Sequence, residues 1–284
     1  MQYLPLIWIV VPVFEREDCV INLVEQLRKQ TYNNYNLIII DHGKKKIKKI
    51  PDQNITIITA SSKLWWSGAV NKGINYILEN KNISLETPIL VINDDVIIGN
   101  DYLSNLILDW KNDKTTMIGS LCVESNSSNI IYANIVLNKM LAKFEYANTS
   151  CKIEDLKDKL LPSDLLSGRG TLIPANIFID IGLYDEINLP HYRADYELVY
   201  RAKKRGYHAF VSGNSIVYTE LNVPGKLNKN NLLPSICSVF FQRKSSSNLK
   251  DLFNYSYLNF GLIYGTYFFI VNSLRSIGYV LLNS

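Results

Sequence analysis

The stretch Ile89 to Val96 reads ILVINDDV: four apolar residues, an asparagine, two adjacent aspartates and a valine. A short continuous apolar run of this kind is a strand buried on both faces, as in a parallel sheet covered by helices. Three further runs have the same character, Leu6 to Val13, Leu37 to Ile40 and Ile55 to Thr59. Between them the apolar spacing becomes helical. Asp18 is placed to cap a helix with Val20, Leu23, Val24 and Leu27 on one face. A second helix follows Gly68 with Val70, Ile74, Ile77 and Leu78, and a third follows Asp101 with Leu103, Leu106, Ile107 and Trp110. Strands alternating with helices predict an α/β, Rossmann-like domain with a mostly parallel central sheet.

Beyond Met117 the pattern loosens. Strands are expected at Met117 to Val123, Ile130 to Leu137 and Leu165 to Pro174, and a helix at Asp195 to Arg205 with Leu198, Val199 and Ala202 facing inward. The polar stretch Lys152 to Lys159 has no clear periodicity. No repeat is visible, and a polar stretch at Lys244 to Asn248 divides the chain into a domain of residues 1–245 and a tail of residues 246–284.

The chain has 284 residues with Lys+Arg 30 against Asp+Glu 26, a formal net charge of +4 that is too balanced to point to nucleic acid. Lys44, Lys45, Lys46, Lys48 and Lys49 gather positive charge in one loop, to face phosphates or anionic lipid, or simply water. Cys19, Cys122, Cys151 and Cys237 lack metal-ligand spacing and read as reduced cysteines. The N-terminus opens into a strand without a basic region and cleavage site, so a cleaved export signal is not expected. Between Leu252 and Leu274 there is no charged residue, and Tyr, Phe, Leu and Ile are interrupted by Asn254, Asn259, Gly261 and Gly265. Three readings stand for this tail: helices lying in a membrane interface with Lys244, Lys250 and Arg275 available to anionic headgroups, a packed hairpin or dimer contact, and a span.

In open parallel sheets ligands bind beyond the C-terminal strand ends. Val11 to Phe14 leaves the first strand and Asp41 ends the second, where a carboxylate either accepts from a nucleobase or ribose hydroxyl or closes a turn. Asp94 and Asp95 repel each other, and two such groups after a buried strand make sense beside a hard cation; Mg2+ or Mn2+ binds through one or two carboxylates plus substrate phosphates. Asp195, in HYRADYE at His191 to Glu197, stands at a helix start, as a cap, a partner for Arg201 or a reactive carboxylate.

The ordered set VPVFER (Val11 to Arg16), Asp41, WWSGAVNKGI (Trp65 to Ile74), NDDV (Asn93 to Val96), SGRG (Ser167 to Gly170) and ADYELVYRAKKRGY (Ala194 to Tyr207) resembles the family 2 glycosyltransferases with the GT-A fold. It is most similar to rhamnosyltransferase-like members of bacterial surface polysaccharide synthesis. The resemblance implies that Pro12, Val13, Phe14, Asp41, Trp66, Asn71 and Asp94 line a donor nucleotide site and that Asp95 is the metal carboxylate of the D-x-D motif. It implies that Asp195 is the base of an inverting transfer, and that Ser167, Gly168, Arg169 and His191 border the acceptor. Its implied partners are a nucleotide-sugar donor, a glycan or lipid-linked acceptor and, through the tail, the cytoplasmic face of the inner membrane as a peripheral contact. Two positions depart from the pattern. Ala194 replaces the usual Glu, leaving that role absent or to Glu197, and Glu220 rather than a His follows the late strand. The rivals are a sugar-1-phosphate nucleotidylyltransferase, disfavoured because Val11 to Asp18 holds no glycine, and a non-catalytic scaffold, prompted by Ala194 and the apolar tail.

Overall fold

All seven residues of β1 (Ile7–Val13) are buried, as a strand covered on both faces requires. The computed structural model describes residues 4–48, 50–79, 83–220, 239–243, 245 and 247–282. β1 pairs in parallel with β2 (Tyr35–Asp41) on one side and β4 (Pro88–Val91) on the other, and β3 (Ile55–Thr59) extends the sheet beyond β2. The sheet continues past β4 through β11 (Thr171–Pro174), which is antiparallel to both neighbours, then β6 (Thr116–Glu124) and β12 (His208–Thr219), parallel to each other, and β10 (Leu160–Pro162). Two short strands, β5 (Ile97–Ile98) and β7 (Ile130–Tyr132), pair with β12 and β6.

Alternation along the strands sends side chains to two cores. Ile9, Val11, Val13, Leu37 and Ile39 pack with Val20, Leu23 and Leu27 of α1 (Glu17–Arg28) and Leu103, Leu106 and Trp110 of α3 (Tyr102–Trp110). Val10, Ile38, Ile40 and Val91 pack on the other face with Val70, Ile74 and Ile77 of α2 (Trp65–Leu78), together with α5 (Ala175–Ile181) and α6 (Ala194–Lys204). The result is a helix–sheet–helix sandwich with the predicted α/β class.

Several boundaries differ from the sequence expectation. Asp18 does not cap α1; Arg16 holds the cap position without a side-chain cap bond, and Asp18 lies in the first turn, where its charge suits the helix dipole. α2 begins at Trp65 rather than after Gly68, because Gly68 is buried inside the helix. The expected strand Ile130 to Leu137 is two: β7 stays on the main sheet, and β8 (Asn134–Asn138) leaves it to pair with β9 (Lys143–Ala147). Of Leu165 to Pro174 only Thr171–Pro174 is strand, since the SGRG segment turns away to meet α2 and α6. A short helix, α4 (Ile153–Leu156), occupies the polar stretch. Cys19, Cys122 and Cys151 are free thiols, while Cys237, Lys49 and Lys244 lie outside the described residues.

The tail, α7 (Leu249–Leu282), is two helical segments folded back at Gly261, whose φ of 68° an L side chain rarely adopts. The segments meet through Phe253 against Phe269, and Tyr257 bonds Thr266 at 2.9 Å. Tyr255 and Phe268 are fully buried against Phe144 of β9. The asparagines that argued for headgroup exposure instead hold the hairpin down. Asn254 Nδ2 donates to Asn188 O at 2.8 Å, Asn272 Nδ2 to Ala142 O at 2.8 Å, and Asn259 Nδ2 to Tyr255 O in its own helix. Arg275 likewise points inward, donating to the Leu141 and Ala142 carbonyls at 2.5 and 2.8 Å. Among the described residues no helix is long and apolar enough to cross a membrane.

Because Phe268 joins the main core, Phe268→Ala is expected to lower unfolding stability by about 3–5 kcal/mol, read by denaturant titration as a single shifted transition. A separate, early transition confined to the tail would mean that the hairpin is not part of the core it touches.

Candidate functional site

β2 and β3 lie on one side of β1, and β4 on the other. The chain therefore reverses its direction of strand addition between β1 and β4, and the crevice beyond their C-terminal ends is where such sheets bind ligands. Phe14 to Arg16 leave β1 into this crevice, and Asn93 to Asp95 leave β4.

The register brings these exits into contact. Arg16 Nη1 donates to Asp95 Oδ2 at 2.7 Å, and Arg16 Nη2 lies 2.6 Å from Asp94 Oδ1. The Asp94 side chain has 0% exposure and that of Asp95 24%. Burial pushes the Asp94 carboxyl up to about 7 against the pull of Arg16, with Asp95 pushing the same way as burial. Arg16 takes one oxygen of each carboxylate, while Asp94 Oδ2 and Asp95 Oδ1 are buried without a hydrogen-bond partner. Such orphaned oxygens fit a hard divalent cation. No group of three or more His, Cys, Asp or Glu gathers among the described residues, so Asp94 and Asp95 would hold it with substrate oxygens completing its shell.

Trp66 joins this pair to the opposite wall. Its Nε1 donates to Asn93 Oδ1 at 2.9 Å, and its ring lies edge-on to Tyr184 at 5.3 Å. A Cβ on Gly168 would stand 2.5 Å from Trp66 Cζ2, so only glycine lets the SGRG segment lie on this ring. Gly168 N in turn donates to Asp195 Oδ2 at 3.0 Å, and Tyr196 N to Asp195 Oδ1 at 2.9 Å. Burial raises the Asp195 carboxyl above the usual range, opposed by these two N–H groups and by the charge of Arg169. Arg169 Nη1 donates to Tyr132 Oη at 3.2 Å, and Ser167 and Tyr132 share a hydrogen bond. Tyr132 first, and Asp95 further off, hold the Arg169 guanidinium firmly charged. His191 lies tilted against Trp65 at 5.7 Å, and the Arg243 guanidinium lies over the Trp65 ring at 5.7 Å. Glu15, Trp65 and Arg193, each at or just before the start of a helix, have positive φ, as do six other non-glycine residues elsewhere among the described residues.

On the β2 side, Phe14 is half-buried against His42, with ring centroids 5.2 Å apart. Burial lowers the His42 imidazole, whose Nδ1 has no hydrogen-bond partner. Phe14, backed by the buried His42, leaves part of its ring exposed beside the crevice, where it can stack on a planar base.

The other expected residues are held from within the fold. Asp41 is 1% exposed, with Oδ1 accepting from Gly43 N at 3.1 Å and Oδ2 from Ile47 N at 2.9 Å, so it shapes the lysine loop from beneath. Lys44, Lys45, Lys46 and Lys48 are all exposed, and of these the Lys46 ammonium is tied to the Asp41, Gly43 and Ala60 carbonyls. Pro12 and Val13 are buried inside β1 and form the wall behind the site. Asn71 is a strut: its Nδ2 donates to Tyr184 O and Glu186 Oε2, and its Oδ1 accepts from Tyr184 N. Glu197 forms a forked ion pair with Arg201, the partner that Asp195 does not take, and Glu220 is exposed at the end of β12. Arg16, His42 and Tyr132 had no role in the sequence reading. Arg16 closes the quoted VPVFER motif, yet nothing local says what its side chain reaches.

Asn71→Ala removes both donors and the acceptor from a buried contact, and is expected to cost about 1–3 kcal/mol in a thermal or denaturant melt, with any ligand affinity lost only in proportion. Unchanged stability with a selective loss of nucleotide binding would return Asn71 to the ligand.

The sequence profile described as glycosyl transferase family 2 matches residues 8–157. An uncharacterized glycosyltransferase of Rickettsia felis is 23% identical over 207 residues, which cover 70% of this chain; the match spans only 31% of that protein. Among solved structures, GalNAc-T7 with UDP, GalNAc and Mn2+ superposes with a TM-score of 0.62 at 14% identity, over 99% of this chain and 58% of that one. The mannosyltransferase PcManGT from Pyrobaculum calidifontis, in complex with GDP-Man and Mn2+, gives 0.55 at 12% identity over 100% and 77%. At these identities the structural likeness is one of fold, the GT-A-like arrangement of sheet and crevice described above. With the profile spanning β1 through α4 and including both strand ends that meet at Arg16, the chain belongs to glycosyl transferase family 2.

Proposed function

We propose that this protein is an inverting glycosyltransferase that moves a sugar from a nucleotide-sugar donor to a hydroxyl of a glycan or lipid-linked acceptor. The observation that carries the reading is the contact chain from Asp94 and Asp95 through Asn93, Trp66 and Gly168 to Asp195. It links a cation-seeking acidic pair to a separate carboxylate through direct contacts, which supports one site served by both. Phe14, backed by the buried His42, offers the donor base a stacking surface. Asp195, raised by burial and held in one orientation by two backbone N–H groups, takes the proton from the acceptor hydroxyl as its oxygen attacks the anomeric carbon; the bond to the nucleoside diphosphate breaks on the opposite face. A divalent cation held by Asp94 and Asp95 supplies positive charge to the leaving diphosphate. Solved proteins of the same fold hold UDP or GDP-Man together with Mn2+, which supports this donor class. A hexosyl or rhamnosyl donor and a role in bacterial surface polysaccharide are the finer form of the proposal, suggested by the family resemblance.

Ala194 does not favour the scaffold reading. Its side chain is 0% exposed in the core behind α6, so the position points away from the crevice, and Asp195 keeps its own surroundings. Asp195→Asn keeps the shape and one of the two backbone contacts, since the amide nitrogen cannot accept from an N–H group, and it removes the basicity. Transfer from a panel of nucleotide sugars with Mn2+ is expected to fall by about 100-fold or more with donor binding retained. Near-normal transfer by the asparagine variant would place the base elsewhere.

We further propose that the tail seats the protein peripherally on the cytoplasmic face of a membrane, where a lipid-linked acceptor is presented. Ile263, Tyr267, Ile270, Leu274 and Ile277 recur on one face of the second segment of α7 and are all exposed, Ile263 at 89%. Met140, 87% exposed, and Leu141 adjoin it, flanked by the exposed Lys139 and Lys143, which suits anionic headgroups. Ile263→Glu with Leu274→Glu leaves the buried face of the hairpin intact and is expected to weaken flotation with anionic liposomes about tenfold or more. Equal flotation of variant and parent, or none by the parent, would make the stripe a contact for something other than lipid.

A further inference from the structure

Arg16 is tied down only at its tip. It stands at the start of α1 without a side-chain cap bond, follows Glu15 in the left-handed region, and its side chain is 43% exposed. Its guanidinium nevertheless spans the two carboxylates, 2.6 Å from Asp94 Oδ1 and 2.7 Å from Asp95 Oδ2. Two adjacent anions, one wholly buried, repel each other and need a positive partner to stay charged in the interior. In this structure Arg16 is that partner.

We propose that Arg16 is a built-in counter-cation: it holds the Asp94–Asp95 pair in the donor-free protein and must be displaced before a divalent cation takes the pair. A divalent ion drawn to Asp94 Oδ2 and Asp95 Oδ1, the oxygens that Arg16 leaves free, would compete with the guanidinium for the charge of the same two carboxylates and repel it at close range. Displacement leaves Arg16 a long, exposed, forked donor at the mouth of the crevice. Its geometry matches phosphate oxygens better than any single-point cation does. The nucleoside diphosphate therefore rewards the same movement that the metal requires. The two ligands promote each other's binding, and by linkage the enhancement is equal in both directions. This deepens the donor and metal reading given above and rests on it. Its consequence is that the metal alone binds weakly and loads together with the nucleotide, so that a bare cation is not retained in an idle site.

The test is Mn2+ titration of the full chain, followed by the electron paramagnetic resonance signal of free Mn2+, first without nucleotide and then with uridine or guanosine diphosphate. Arg16→Gln removes the competitor and is expected to bind Mn2+ about tenfold more tightly than the parent without nucleotide. Arg16→Lys, a single-point cation, should fall between them. Nucleotide should tighten Mn2+ strongly in the parent and much less in Arg16→Gln. In EDTA the glutamine variant should melt below the parent, and Mn2+ should restore it, because the unpaired carboxylates regain a cation. Equal or weaker Mn2+ affinity in the folded glutamine and lysine variants would overturn the proposal, as would a parent that binds no Mn2+ under any condition. Tighter Mn2+ binding by Arg16→Gln with no nucleotide binding to either protein would support the counter-cation and count only against the donor assignment.

Discussion

Two carboxylates buried side by side at the end of a parallel strand cannot persist without positive charge beside them, and the crevice of this protein is organised around that constraint. Asp94 is sealed from water and Asp95 is partly exposed, while the cation that reaches them comes from the neighbouring strand exit. That meeting depends on the pairing of β1 with β4, in which Val10 lies opposite Val91 and Ile92 N donates to Val10 O. A slip of one residue would turn every side chain of either strand to the opposite face. The apolar runs that build the sheet therefore also set the electrostatics of the site.

Trp66 carries the same logic across the crevice. An indole is large and rigid, with one polar edge that must find an acceptor when buried, and Asn93 provides it. Its apolar face accepts the backbone of Gly168, which hands an N–H to Asp195. Three loops far apart in sequence thus become one wall, and movement of the ring would shift the carboxylates on both sides. Asn71 and Glu186 brace the loop behind Tyr184, against which the ring packs, so positions that resemble ligand contacts by sequence serve to hold it in place.

The tail shows how composition alone misleads about partners. Tyrosine and asparagine in an uncharged helix suit a headgroup layer, and the same groups suit a hairpin that must satisfy carbonyls on the Lys139 to Ala142 turn. The structure uses the inner polar groups for the second purpose and leaves an apolar stripe outside. One element can serve the core and still present a surface, since a helix has faces and a composition does not.

By itself, the sequence determined the α/β class, the four strands from Leu6 to Ile92, the inward faces of the helices and the placing of adjacent carboxylates after a buried strand at Asp94 and Asp95. These follow from local periodicity and from the cost of placing charge after a buried strand, both of which are written in neighbouring residues. That Ile55 to Thr59 is a half-exposed edge strand and not a buried one was decided by its place in the sheet. Tertiary structure alone decided that Arg16 reaches the acidic pair, that Asp41 and Asn71 face inward, that Ile130 to Leu137 divides between two sheets and that Glu197 pairs with Arg201. Each of these depends on which distant backbone or side chain fills the adjacent space. Hydrogen-bonding and charged groups take the partner that packing brings within about 3 Å, and for residues separated by many positions that distance is set only when the whole sheet is assembled.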